Sequence, residues 1–168
     1  MNAATDLVAL DVDRIVLDPN TEAPIVVLRG KDGETEIALP IWIGPFEAFS
    51  IALALEGKAA PRPMTHDLFH TVVERLGARV DRAVIRSIEG ETFHATLILL
   101  RGEERFEIDA RPSDAIALAV RGKAGIFATR EILAASVRSL DFLEKGQEER
   151  QRATLESLDP KDFSKYKM

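Results

Sequence analysis

Glu107-Ile108-Asp109-Ala110-Arg111-Pro112-Ser113-Asp114-Ala115-Ile116-Ala117-Leu118-Ala119-Val120 changes its periodicity once, and the fold turns on that change. Up to Ala110 the period is two, with Phe106, Ile108 and Ala110 on one side of a strand. From Ala115 the residues are apolar all round, the pattern of a short helix buried on every side. Pro112 has no N–H for a strand ladder and biases Arg111 toward extended backbone, so the strand stops there and Ser113 or Pro112 opens the helix. Asp109, Arg111 and Asp114 are therefore expected to converge at the strand end and helix start. Each has an ordinary structural use: Asp114 complements the helix dipole, Ser113 is a good N-cap, and Arg111 can pair with an aspartate. The group is what stands out, because three charged side chains within six residues at the mouth of an apolar helix need partners.

Working outward, Glu104–Ala110 closes a meander with Val80–Ile88 and Thr92–Leu100, joined by turns at Glu89-Gly90 and Arg101-Gly102-Glu103. Phe93, Ala95, Leu97 and Leu99 share one face of its middle strand. Before it, Leu7–Leu17 alternates at Val8, Leu10 and Val12, with Asp11 and Asp13 opposite. Asp18-Pro19-Asn20-Thr21 is a turn, Ile25–Leu28 a short strand, and Gly30-Lys31-Asp32-Gly33 a second turn. Thr35–Ile43 sets Ile37, Leu39, Ile41 and Ile43 against Ala38, Pro40 and Trp42, and Pro40 requires an edge or a bulge. Gly44-Pro45 opens a helix with Phe46, Phe49 and Leu53 at helical spacing, stopped by Gly57. A second helix is expected from an N-cap at Thr65, with Leu68, Val72 and Leu76 as its buried stripe and Gly77 as its end. After the apolar helix, Gly125–Ala128 forms one more strand, and Thr129 or Arg130 begins a helical turn. The order of elements predicts an α+β fold, a mixed and largely antiparallel sheet with helices packed against it.

The chain has 168 residues, 46% hydrophobic and 30% charged, which suits one domain with a proper core. We assign residues 1–135 to that domain and 136–168 to a charged, helical C-terminal tail rich in Glu, Lys and Arg. No apolar run is long enough for a membrane span, and the N-terminus lacks a basic region followed by an apolar one, so a cytoplasmic location is expected, with no membrane partner. With no cysteine there are no disulfides and no thiolate metal sites. A net charge of -6 argues against a broad electrostatic grip on nucleic acid, so contact with a polyanion must be local or metal-assisted. Trp42 faces away from the apolar stripe of its strand and hints at a second buried surface, from which a homo-oligomer is expected.

A second polar helix entrance, Arg62-Pro63-Met64-Thr65-His66-Asp67-Leu68, loosely echoes Arg111 to Asp114. His66 and His70 stand four apart, a spacing that can bind zinc, but Asp67 occupies the place of a metalloprotease glutamate and no downstream ligand follows. Two histidines on an exposed helical face are expected to be incidental. The sequence holds no Gly-x-Ser-x-Gly elbow, Gly-rich phosphate loop or dinucleotide fingerprint, and no organic cofactor is expected.

Leu39-Pro40-Ile41-Trp42-Ile43-Gly44, Glu47, Arg62-Pro63-x-Thr65-His66-Asp67-Leu68, and Ile108-Asp109-Ala110-Arg111-Pro112-Ser113-Asp114-Ala115-Ile116-Ala117-Leu118, in this order, resemble the bifunctional nuclease family over roughly Leu7 to Leu133. The resemblance implies hydrolysis of DNA and RNA. It also places the family's polar motif positions on Glu47, Arg62, His66, Asp67, Asp109, Arg111, Ser113 and Asp114; His70 is outside that pattern.

For such an activity, Glu47, Asp109 and Asp114 are the expected ligands of Mg²⁺ or Mn²⁺, hard cations that carboxylates suit. His66, Asp67, Asp109 and Asp114 are the expected catalytic residues, His66 because its pKa lies near neutrality. Arg62, Arg111 and Ser113 would hold the phosphate. The alternative from another class is a noncatalytic oligomeric scaffold or ligand-binding regulatory domain, in which the same aspartates and arginines form a structural ion network.

Overall fold

The structure is a computed structural model that describes residues 6–134 apart from residue 91; the tail assigned to 136–168 lies outside the described residues. Strands β1 (Leu7–Leu17), β2 (Pro24–Asp32) and β3 (Thr35–Trp42) precede helices α1 (Pro45–Leu55) and α2 (Thr65–Arg75). Strands β4 (Arg79–Glu89), β5 (Thr92–Arg101) and β6 (Glu104–Ala110) follow, then α3 (Pro112–Gly122) and β7 (Gly125–Thr129), with residues 130–134 helical.

Two antiparallel meanders, β1-β2-β3 and β4-β5-β6, are joined through β7 into one sheet of order β3-β2-β1-β7-β4-β5-β6. The β4–β7 pair is parallel and every other described pair antiparallel, so the sheet is mixed and mostly antiparallel and the fold is α+β. Pro40 sits on the edge strand β3, where its missing N–H breaks no ladder. Gly90 and Gly102, with φ of 63° and 59°, take the left-handed conformation that the two tight turns of the second meander need.

The helices pack on one face of the sheet, with α3 at the centre against α1, α2, β4, β5 and β7. Ala115, Ile116, Ala117, Leu118 and Ala119 are all buried and join Leu10, Leu28, Leu39, Ile85, Leu97 and Ile126 in the main core. Small side chains on α3 let it lie close to the sheet: a Cβ on Gly122 would stand 3.0 Å from the Cβ of Val80. A smaller cluster of Ile25, Val27 and Ala38, with Val16 packed on it, lies on the other face of the sheet.

Two details depart from the apolar periodicity. The expected buried stripe of α2 faces outward: Leu68, Val72 and Leu76 are 58%, 47% and 66% exposed, whereas Val73 is 6% exposed. The stripe turned inward is His66, His70 and Val73, because hydrogen bonds from His66 to neighbouring helices set the rotation of α2. Phe46 and Phe49 of α1 are likewise exposed, while Ala48, Ser50 and Ile51 are buried. Trp42 is part exposed, and its indole N–H donates to Asp18 at 2.8 Å. That bond, with the backbone N–H groups of Thr21 and Asn20, holds the Asp18 carboxyl below its ordinary pKa against its burial and locks the first turn.

Candidate active site at the two helix entrances

The entrances of α2 and α3 meet. His66, the second residue of α2, brings Nε2 within 3.0 Å of Asp114 Oδ1 in the first turn of α3. Its Nδ1 lies 2.9 Å from Ser50 Oγ, in the middle of α1. Arg111 is the N-cap of α3, held extended at φ -66° and ψ 145° by the proline that follows it. The helix thus opens at Pro112, and Ser113, expected as a cap, is buried as its second residue with no hydrogen bond joining it to the cluster among the described residues.

Arg111 Nε donates to Asp114 Oδ2 at 2.8 Å and Nη2 to Asp114 Oδ1 at 3.1 Å, a two-pronged grip, while Nη1 stands 2.9 Å from Glu47 Oε1. Glu47 is acidic in the first turn of α1 and folds back over Gly44: a Cβ there would fall 2.2 Å from Glu47 Oε2. Gly44, at φ -74°, leaves the room that the Glu47 carboxylate occupies, and its conformation needs no glycine.

A second half of the network lies behind. Arg121, at the C-terminal end of α3, has an 8% exposed side chain. It donates from Nε to Asp67 Oδ1 at 2.7 Å, from Nη2 to Ser50 Oγ at 3.0 Å and from Nη1 to the Ala117 carbonyl at 3.0 Å. The other oxygen of Asp67 accepts the backbone N–H of Met64 at 2.9 Å. Met64 is therefore the N-cap of α2 and Thr65 its first helical residue, so the helix begins one position earlier than expected.

Burial alone would raise the Asp114 carboxyl, but hydrogen bonds from Arg111 and His66 and the charge of Arg111 outweigh it and hold it below its ordinary value. Asp67 behaves alike: burial opposes, and the Arg121 bond and the Met64 N–H win. Both carboxylates are thus anions at neutral pH, each fully engaged.

Of the expected site residues, Glu47, His66, Arg111 and Asp114 come together directly, and Asp67 joins them through Arg121 and Ser50. Arg62 is exposed in the loop before α2 and makes no ion pair among the described residues. Asp109 does not converge. It is paired with Thr96 in register, on the sheet face opposite Ala95 and Leu97, and bonds Arg86 at 2.6 Å there. Strand alternation explains this, since Ile108 and Ala110 face the helices and the residue between them cannot. Glu47, Asp109 and Asp114 accordingly form no common ligand set, and among the described residues no group of three or more His, Asp or Glu side chains could hold a metal ion. The two carboxylates that are close share Arg111, an arrangement that does not fit Mg²⁺ or Mn²⁺.

His66 is not incidental, contrary to the reading of its spacing with His70. Ser50 and Arg121 were not singled out at all. Ser50 carried one signal, a hydroxyl among Ala48, Ile51 and Ala54; Arg121, a cation at a helix C-terminal end, carried none that sets it apart.

The sequence model of the bifunctional nuclease domain matches residues 26–140. An uncharacterized protein of Mycobacterium tuberculosis is 32% identical over 149 residues, covering 83% of this chain and 88% of that protein. Bifunctional nuclease 1 of rice (Oryza sativa subsp. japonica) is 30% identical over 110 residues, 64% of this chain and 33% of the rice protein. Bifunctional nuclease 1 of Arabidopsis thaliana is 30% identical over 103 residues, 60% of this chain and 31% of the plant protein. The chain thus spans about a third of the plant relatives that it matches. With its helix entrances joined as described, the chain belongs to the bifunctional nuclease domain family.

Proposed function

We propose that this chain hydrolyses phosphodiester bonds in DNA and RNA at the cluster of Glu47, His66, Arg111 and Asp114. The observation that carries the reading is the meeting of His66 and Asp114 beside an arginine whose side chain is 65% exposed. Arg111 offers a charged fork to a phosphate, in competition with Glu47 and Asp114. DNA has no 2′-hydroxyl, so an activity on both polymers uses water: its oxygen bonds to phosphorus, the bond to the leaving nucleoside oxygen breaks, and one proton moves from water to the leaving group. The His66–Asp114 pair is the group placed to manage that proton. Arg62, exposed and without an ion pair among the described residues, adds a second cationic contact. Asp67, tied on both oxygens, positions α2. Family membership and the plant relatives' names support the nuclease assignment.

Purified protein assayed on labelled single-stranded RNA and DNA tests this, with chelator and with added Mg²⁺ or Mn²⁺. Cutting that follows the protein through successive columns and is lost in Arg111→Ala supports the reading. Cutting that is abolished by chelator and restored by the metal would show that an ion enters after the carboxylates regroup.

A noncatalytic ion network is the rival, favoured by the fact that every carboxylate in the cluster already has a cationic or N–H partner. It predicts no cutting and a lowered melting temperature for Asp114→Ala.

Self-association and a cytoplasmic location belong to the same proposal. Phe46 and Phe49 of α1 and Leu68, Phe69, Val72 and Leu76 of α2 are exposed and apolar, which supports contact between copies. None of the described helices is long and apolar enough to cross a membrane. Light scattering over a concentration series checks the first; a monomer throughout would remove it.

A further inference from the structure

His66 has two nitrogens with different neighbours, and both neighbours bear on which nitrogen carries the proton: the Asp114 carboxylate, an acceptor only, at Nε2, and the Ser50 hydroxyl at Nδ1. A guanidinium has donors only, so Arg121 Nη2 at 3.0 Å makes Ser50 Oγ an acceptor. The Ser50 hydroxyl still has its own proton to place, and the remaining hydrogen-bond partner of Oγ among the described residues is His66 Nδ1 at 2.9 Å. Ser50 is 1% exposed, so water does not offer an alternative. A hydroxyl donating to Nδ1 requires that nitrogen to be bare, and the ring proton then sits on Nε2, pointing at the Asp114 carboxylate 3.0 Å away.

We infer that Ser50 and Arg121 are positioning residues that hold the proton of neutral His66 on Nε2, so that the ring faces Asp114 and an incoming phosphodiester as a donor. The assignment of a substrate rests on the nuclease reading; the position of the proton does not. Arg121 is fixed for this task by Asp67 and by the Ala117 carbonyl, and Asp67 by the Met64 N–H, which gives a role to a buried arginine that stands behind the site and not in it. The charged groups around the ring are Asp114 with Arg111 on one side and Arg121 with Asp67 on the other. On this arrangement the site-facing nitrogen is a donor, and the nitrogen able to accept a proton is turned toward α1.

The test is long-range ¹H–¹⁵N correlation of the His66 ring in the full chain, recorded above the pH at which the imidazolium signal disappears. The expected spectrum has a protonated Nε2 and a bare Nδ1, and the same pattern in Asp114→Asn, whose amide can face the ring as donor or acceptor; Ser50→Ala in the Asp114→Asn background gives a mixture of tautomers and Ser50→Thr in that background restores the single pattern. A proton on Nδ1 in the unmodified chain, or a single Nε2 pattern that persists in the Asp114→Asn/Ser50→Ala double variant, overturns the inference. Where cutting is measurable, Ser50→Ala is expected to lower kcat by about tenfold with KM unchanged, the effect of one lost hydrogen bond in the transition state. A chain that shows the Nε2 pattern but cuts nothing refutes the nuclease reading alone.

Discussion

Asp114 and Asp109 stand five residues apart, each with an arginine within hydrogen-bond reach, yet they occupy different chemical environments. Asp114 enters a network spanning three helices, with its side chain 30% exposed. Asp109 sits on an edge strand, 74% exposed, in a single pair with Arg86 on the opposite face of the sheet. The difference shows that nearness in sequence brings side chains together only when the turn between strand and helix aims them to one side. A strand reverses its side chains at every residue, and a helix start collects those of its first turn. An exposed pair contributes little to stability, while a linked one, losing a partner, strands the rest.

The comparison breaks most readily at His66. Under the nuclease reading, His66→Ala is expected to reduce the cutting rate by about 10²- to 10⁴-fold on both RNA and DNA, the range for loss of a proton-handling group. Arg86→Ala, in the other environment, is expected to leave the rate within about twofold of the unmodified chain, since it touches nothing in the cluster. Equal losses in the two variants would erase the distinction.

Acid sharpens it. The folded-state pKa of Asp114 lies below its ordinary 3.8, so its contribution to stability is present above that value and is lost as pH falls through the lower native one. Thermal unfolding followed from neutrality to well below pH 3.8 should show Asp114→Asn with a flatter decline than the unmodified chain. Asp67 and Asp18 shift in the same direction, so the variant removes one share of the slope and not all of it.

Gly44→Ala probes the rim of the network without touching a charge. The added Cβ collides with Glu47 Oε2, which must swing off Gly44 and loosen its hold on Arg111. A loss of about 1 kcal/mol by chemical denaturation is expected, since the far end of a flexible side chain moves aside and only its ion pair with Arg111 weakens. The smallest effect is reserved for the exposed pair: Asp109→Ala should change stability by about 0–1 kcal/mol in the same measurement.

Much of the fold was legible because its punctuation is local. Pro40 marked an edge, Pro45 and Pro112 marked helix starts, and Gly57, Gly77, Gly90 and Gly102 marked ends and turns, where all four adopt positive φ. The rotation of α2 was not legible. Leu68, Val72 and Leu76 form a valid apolar stripe, but His66 bonds to Ser50 and Asp114, two residues far away in sequence, and turns that stripe outward. The meeting of the two arginine-proline corners could be conjectured from their likeness, whereas the exclusion of Asp109 followed from strand alternation that was already written in Ile108 and Ala110. Ser50 and Arg121 were hidden for a different reason: a hydroxyl on an apolar helix and a cation at a helix end both have ordinary uses, and only three-dimensional contact distinguishes them.

The most direct measurement sets Asp114→Asn beside Asp109→Asn in one cleavage assay on single-stranded RNA and DNA, with folding of each variant checked by its melting curve. Loss of about a hundredfold or more in the first and near-normal cutting in the second is the predicted result. Normal cutting by a folded Asp114→Asn, or an equal loss in Asp109→Asn, would contradict a site at the joined helix entrances.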